Sequence, residues 1–103
     1  MTFALSQPSF IRLKAQMNLT GHFNHTLYNK ATGNSVPATI DTERGADEIH
    51  IVIRMGSTLN SIALPLNAKS NANRVADHLE AIANGWLDTA GIALTRDQIS
   101  AAA

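Results

Sequence analysis

The sequence predicts an α+β domain: an antiparallel meander of four or five strands, followed by one long C-terminal helix packed on one sheet face. Two observations predict this class. Apolar and polar residues alternate with period two over most of residues 10–66, and turn residues recur about every ten positions. From residue 71 onward, apolar residues recur every three or four positions, which is the period of a helix. Strands followed by a helix in this way are typical of α+β domains.

Composition limits the class of protein further. The 103 residues are 45% hydrophobic, which is too apolar for a disordered chain and fits one domain over 1–103 with one core. Eight Lys and Arg residues balance eight Asp and Glu residues, so bulk charge indicates no polyanionic partner. Cysteine is absent, which excludes disulfides, thiolate metal centres and thiol catalysis.

The alternating residues predict five strands. Residues 11–20 alternate without exception between apolar and polar types, which predicts a half-buried first strand. Pro65 cannot donate a main-chain hydrogen bond to a neighbouring strand, so we expect the last strand at an edge of the sheet. The predicted strands are residues 10–20, 22–29, 35–42, 48–55 and 59–66.

The helical period predicts a long helix over residues 71–90 that ends at Gly91. Trp86 falls in the centre of its apolar stripe and is expected to anchor the core, while Asn84 falls on the polar side facing solvent. Capping-box spacing at residues 95–98 allows a short second helix over 95–103.

Familiar catalytic and cofactor motifs are missing. The chain has no glycine-rich phosphate loop, no nucleophile elbow and no Cys/His zinc set. We therefore predict a non-enzymatic binding or adaptor module that acts through a sheet face or a dimer surface, with no cofactor and no metal.

The first alternative function depends on a cluster of polar residues on the sheet face that the helix leaves uncovered. The polar positions of the alternating strands place two histidines on one face with a carboxylate, a phenol and two guanidinium groups. Such a group suits a small ligand-binding protein or an enzyme using acid–base chemistry. The same pattern also fits the solvated face of an amphipathic sheet. The candidate residues are His22, Tyr28, Glu48, His50, Arg12 and Arg54. His25 occupies one of the apolar positions of the alternating pattern, which favours a hydrogen-bonded histidine of the core.

Single-stranded nucleic-acid binding on the sheet is a second alternative. Arg12, Lys14, Arg54 and Tyr28 would supply cations and one stacking ring. So few groups make a nucleic-acid partner unexpected.

The expected partner is a second copy of the chain, and another protein is possible. A five-stranded sheet has more apolar side chains on one face than a single helix covers. We therefore predict a homodimer unless the sheet curls around the helix or the N-terminal Phe3 and Leu5 fold over the face. No apolar stretch is long enough to span a membrane, and no secretory signal begins the chain, so a cytoplasmic location is expected.

Overall fold

The computed structural model describes residues 2–86, which form a five-stranded antiparallel sheet and two helices. The sheet order is β1-β2-β3-β4-β5, so each strand pairs with its neighbour in the chain. The predicted α+β class and the meander followed by a helix are confirmed. The elements are β1 (Phe3–Leu5), α1 (Gln7–Gln16), β2 (Gly21–Asn29), β3 (Ser35–Arg44), β4 (Glu48–Met55), β5 (Thr58–Pro65) and α2 (Asn71–Asn84).

Both helices pack on the same face of the sheet. Alternate residues of the central strands, such as Ile40 and Ile51, are fully buried on that face. Leu13 of α1 joins them in one continuous core with Val75 and Leu79 of α2. The period-two pattern of β2 to β5 thus has its predicted meaning, because all the buried residues of each strand lie on the face that the helices cover.

The predicted strand over residues 10–20 is wrong, since Gln7–Gln16 is helical. Phe10, Leu13 and Met17 share a helix face and pack on the core, whereas Ile11 remains 58% exposed. The alternation of this segment therefore contained a helical stripe as well as a strand pattern.

Local signals at the start of α1 favour the helix. Ser6 is the N-cap, and its hydroxyl accepts a hydrogen bond from the Ser9 main-chain N–H at 3.3 Å. Pro8 lies in the first turn, where its missing N–H does no harm. The fifth strand is instead β1, which the sequence pattern did not predict.

Asn84, in the last turn of α2, is hydrogen-bonded to β1, which is one of the two edge strands of the sheet. Its Oδ1 accepts from the Phe3 main-chain N–H at 2.8 Å, and its Nδ2 donates to the Phe3 carbonyl at 3.0 Å. The side-chain amide thus presents to β1 the same donor and acceptor that a neighbouring strand would present. The prediction that Asn84 simply faces solvent is wrong.

Helix α2 ends earlier than predicted, at Asn84 rather than residue 90. Gly85 takes a left-handed conformation (φ 73°), which glycine adopts without steric cost. Its N–H donates to Ile82, and the Trp86 N–H donates to Ala81 at 2.7 Å, which together close a Schellman motif. Trp86 therefore follows the helix and is half-buried instead of lying in its stripe. Residues 87–103, with Gly91 and the possible helix 95–103, lie outside the described residues.

Replacing Asn84 by alanine should destabilise the protein. The Asn84→Ala change removes both hydrogen bonds to Phe3 and leaves the outer side of β1 without a partner, which should cost about 1–3 kcal/mol of unfolding free energy. Urea unfolding measures the difference. Asn73→Ala is the matched control, since Asn73 is exposed on the same helix and alanine is the better helix former. Equal stability of the two variants would contradict this role of Asn84.

Candidate functional site

One face of the sheet is covered by neither helix, and we call it the open face. None of its side chains is buried, in contrast to the opposite face. Strand register places corresponding residues of neighbouring strands side by side across it. The open face of β2 to β5 includes His22, Asn24, Thr26, Tyr28, Thr39, Asp41, Glu43, Glu48, His50, Val52, Arg54, Leu59, Ser61 and Ala63.

Five of the six predicted ligand-binding residues lie on the open face. His22 and Tyr28 are on β2, and Glu48, His50 and Arg54 are on β4. Arg12 does not join them.

The guanidinium of Arg12 is on α1, which packs on the opposite face, and it donates to the Ser9 hydroxyl at 3.2 Å. Lys14 also lies on α1. Arg12 and Lys14 therefore do not share a surface with Arg54 and Tyr28, as nucleic-acid binding on the sheet would require.

His22 pairs with a carboxylate that the sequence analysis missed. Asp41 lies directly opposite it on β3, and the distance from His22 Nδ1 to Asp41 Oδ1 is 2.5 Å. The side chains of His22 and Asp41 are 60% and 46% exposed, so this hydrogen-bonded pair is open to solvent. Asp41 has the polar parity of the predicted strand 35–42, and pairing that strand with 22–29 through the turn at Gly33 would have found it.

His50 makes a separate and looser pair. Its Nε2 is 3.6 Å from Glu48 Oε2, two positions earlier on the same strand, and both side chains are more than half exposed. Glu43 of β3 lies opposite His50 in the register. Within residues 2–86, no group of three or more histidine, aspartate or glutamate side chains is arranged to hold a metal ion.

Tyr28 is far from both histidine pairs. It follows His22 by six residues along one strand, a separation of about 20 Å. It lines instead a surface depression of about 920 Å³ between β1, the start of α1 and the β2–β3 turn. Lys30 is the one charged residue among the described residues of this lining. The start of α1 adds few donors, because Ser6 already caps the Ser9 N–H and Pro8 has none.

The second candidate surface is the outer edge of β5. Its sequence, TLNSIALP, contains no charged residue over eight positions. As Pro65 predicted, this strand is at an edge of the sheet. Leu59 on this strand is 60% exposed. Natural edge strands usually carry charges, bulges or covering elements that prevent pairing with another chain.

The hydrogen-bond alternation decides which main-chain groups of β5 point outward. The Leu66 N–H, just after the strand, donates across to the Asp47 carbonyl at 2.9 Å. In an antiparallel pair every second residue faces its partner, so the even-numbered residues of β5 bond to β4. Leu59, Ser61 and Ala63 therefore direct their N–H and C=O groups away from the sheet, and no group within residues 2–86 bonds to them.

The two edges of the sheet thus differ. The main-chain groups of Phe3 on β1 are bonded by the Asn84 side chain. On β5, groups within residues 2–86 bond only to the end of the edge, where the Pro65 carbonyl accepts from the Asn71 side chain at 2.7 Å. The middle of β5 is a row of three donors and three acceptors that nothing in the described chain satisfies.

His25 is buried where the sequence predicts a core histidine. It is 2% exposed, and its Nε2 is 2.7 Å from Gln16 Oε1, while no described group bonds to its Nδ1. Burial lowers its pKa below the ordinary 6.5, and the nearby Arg12 guanidinium lowers it further. Burial also lowers the pKa of His78 on α2. Burial thus disfavours the charged form of both rings.

The fold should lose stability in mild acid. Below pH 6.5 the unfolded chain takes up protons on His25 and His78, whereas the folded chain takes them up only at lower pH. The unfolding free energy should therefore fall between about pH 7.5 and about pH 5, as measured by urea titration. His78→Gln should reduce the slope while leaving the His25 contribution. An unchanged free energy, with His25 titrating at its ordinary pKa by NMR, would contradict this.

No helix of the described residues is long and apolar enough to cross a membrane. Comparison with family models, curated proteins and solved structures gave no match. Any function must therefore be argued from this chain's own surfaces.

Proposed function

We propose that this chain is a non-enzymatic binding module that accepts an extended strand of its partner at the outer edge of β5. The main-chain groups of Leu59, Ser61 and Ala63, to which no group within residues 2–86 bonds, carry the proposal. Alternating N–H and C=O groups along a sheet edge form ladder hydrogen bonds with any extended chain laid beside them. This is recognition by main-chain geometry, and it needs no catalytic group and no cofactor.

The composition of β5 supports strand addition. A charged side chain on an edge strand would have to be desolvated or paired when another strand approached, and β5 has none. Pro65, which interrupts a ladder, stands only at the last position. Three consecutive outward-facing residues are therefore available without interruption.

The side chains of β5 indicate what kind of strand would fit. Leu59 presents an apolar surface on the open face beside the small residues Ser61 and Ala63. On the other face, Asn60 and Ile62 are half-buried at the rim of the core. An uncharged strand of alternating apolar and small polar residues would cover these side chains without leaving a buried charge unpaired.

The other candidate functions have weaker support. His22 and His50 lie in two exposed histidine–carboxylate pairs, and no described cleft joins them. The open face has Asp41, Glu43 and Glu48 against one arginine, which disfavours a nucleic-acid backbone.

Proline at position 63 tests strand addition directly. The Ala63 N–H points away from β4, so Ala63→Pro removes a donor offered to a partner while leaving the β4–β5 ladder intact. The probe is a labelled synthetic peptide of alternating threonine and valine residues with a charged tail for solubility. Fluorescence anisotropy should show binding to the wild-type protein that is at least about tenfold weaker in Ala63→Pro.

Ala63→Val is the matched control, because valine retains the N–H and suits an exposed strand position. It should bind the peptide as the wild type does. Urea unfolding of all three proteins separates a lost donor from a misfolded strand. The proposal is overturned if the folded proteins bind the peptide equally, or if none of them binds it in dilute solution, where no other strand already fills the edge.

A further inference from the structure

We infer that the strand accepted by β5 is β5 of a second copy of this chain, paired antiparallel about a two-fold axis at Ser61. The inference rests on the proposed function and names its partner. Two sheets joined in this way would form one ten-stranded sheet, twice the five strands of a single copy. Both pairs of helices would lie on one side of that sheet and both open faces on the other.

The hydrogen-bonding pattern selects this register. Outward-facing residues of the two strands must lie opposite one another, and each such pair exchanges two main-chain hydrogen bonds. With the axis at Ser61, the two Ser61 residues face each other and Leu59 of each copy faces Ala63 of the other. Every outward N–H and C=O of Leu59, Ser61 and Ala63 is then used in both copies.

Neighbouring registers use fewer of these groups. With the axis at Asn60, Ala63 falls opposite Ser57 in the β4–β5 turn. With the axis at Ile62, Leu59 falls opposite Pro65, which has no N–H and whose carbonyl is already bonded to Asn71. The strand is therefore most complementary to itself at one position.

The side chains agree with the same register. Leu59 would lie beside Ala63 of the second copy, so a large apolar side chain meets a small one on the open face. Serine meets serine at the axis, where two identical charges would repel and where the chain has none. The formal net charge of the chain is zero, so two copies approach without overall repulsion.

This dimer differs from the one that the sequence predicts. That prediction relied on a bare apolar sheet face, and α1 and α2 together cover the face. The main-chain groups at the edge of β5 supply a different reason for association, and two-fold pairing is the commonest symmetry of soluble homo-oligomers.

The absence of cysteine makes the register directly testable by cross-linking. Residues opposite one another in a hydrogen-bonded pair have Cα atoms about 5.5 Å apart, within the range of a disulfide. Ser61→Cys should therefore form a covalent dimer under mild oxidation. Asn24→Cys, at an exposed position of β2 on the same open face, should not. An equimolar mixture of Leu59→Cys and Ala63→Cys should cross-link far more than either variant alone.

Light scattering after size exclusion should give twice the mass of one chain for the wild type at high micromolar concentration, and half that mass for Ala63→Pro. A single-chain mass with no Ser61→Cys cross-link overturns the second copy as partner. If the threonine–valine peptide still binds in that case, strand addition at β5 stands and only its partner was misidentified. A dimer that cross-links through Asn24→Cys instead overturns the inference in favour of the open face.

Discussion

Burial of one sheet face under two helices is the constraint on which the other features depend. Ile40 and Ile51 of the central strands are fully buried there, against Leu13 of α1 and Leu79 of α2. Because period-two strands place their remaining side chains on the other face, the polar residues of β2 to β5 must line a surface that no described element covers. What remains for binding is therefore the open face and the two edges of the sheet.

The same constraint makes the two edges unequal. Helix α2 returns across the buried face and ends beside β1, which brings the Asn84 amide onto the main chain of Phe3. Within residues 2–86, no group is bonded in this way to Ser61 in the middle of β5, and beyond Pro65 the chain turns away into the start of α2. A module whose β1 edge is bonded at Phe3, and whose uncharged β5 edge is bonded only at its end within residues 2–86, is suited to association through β5.

The sequence predicts the middle of this fold well and its start poorly, for physical reasons. Strands β2 to β5 lie within two residues of their predicted bounds, because each has one covered and one exposed face. Residues 11–20 alternate equally well, but Phe10, Leu13 and Met17 also form a helical stripe, and the Ser6 cap with Pro8 decides in favour of the helix. The alternating pattern likewise predicted that His22 and His50 lie on the open face. The partner of His22 and the outward groups of β5 depend on strand register, which parity alone does not fix.

Amide hydrogen exchange measured by NMR at several protein concentrations tests the central claim most directly, because it reports on the edge groups themselves. The account predicts that the Leu59, Ser61 and Ala63 amides exchange rapidly in dilute protein and become protected as the concentration rises, while the Asn84-bonded amide of Phe3 is protected throughout. Protection of the β5 amides at every dilution would mean that the chain itself covers this edge. Rapid exchange at every concentration would mean that no second copy binds there.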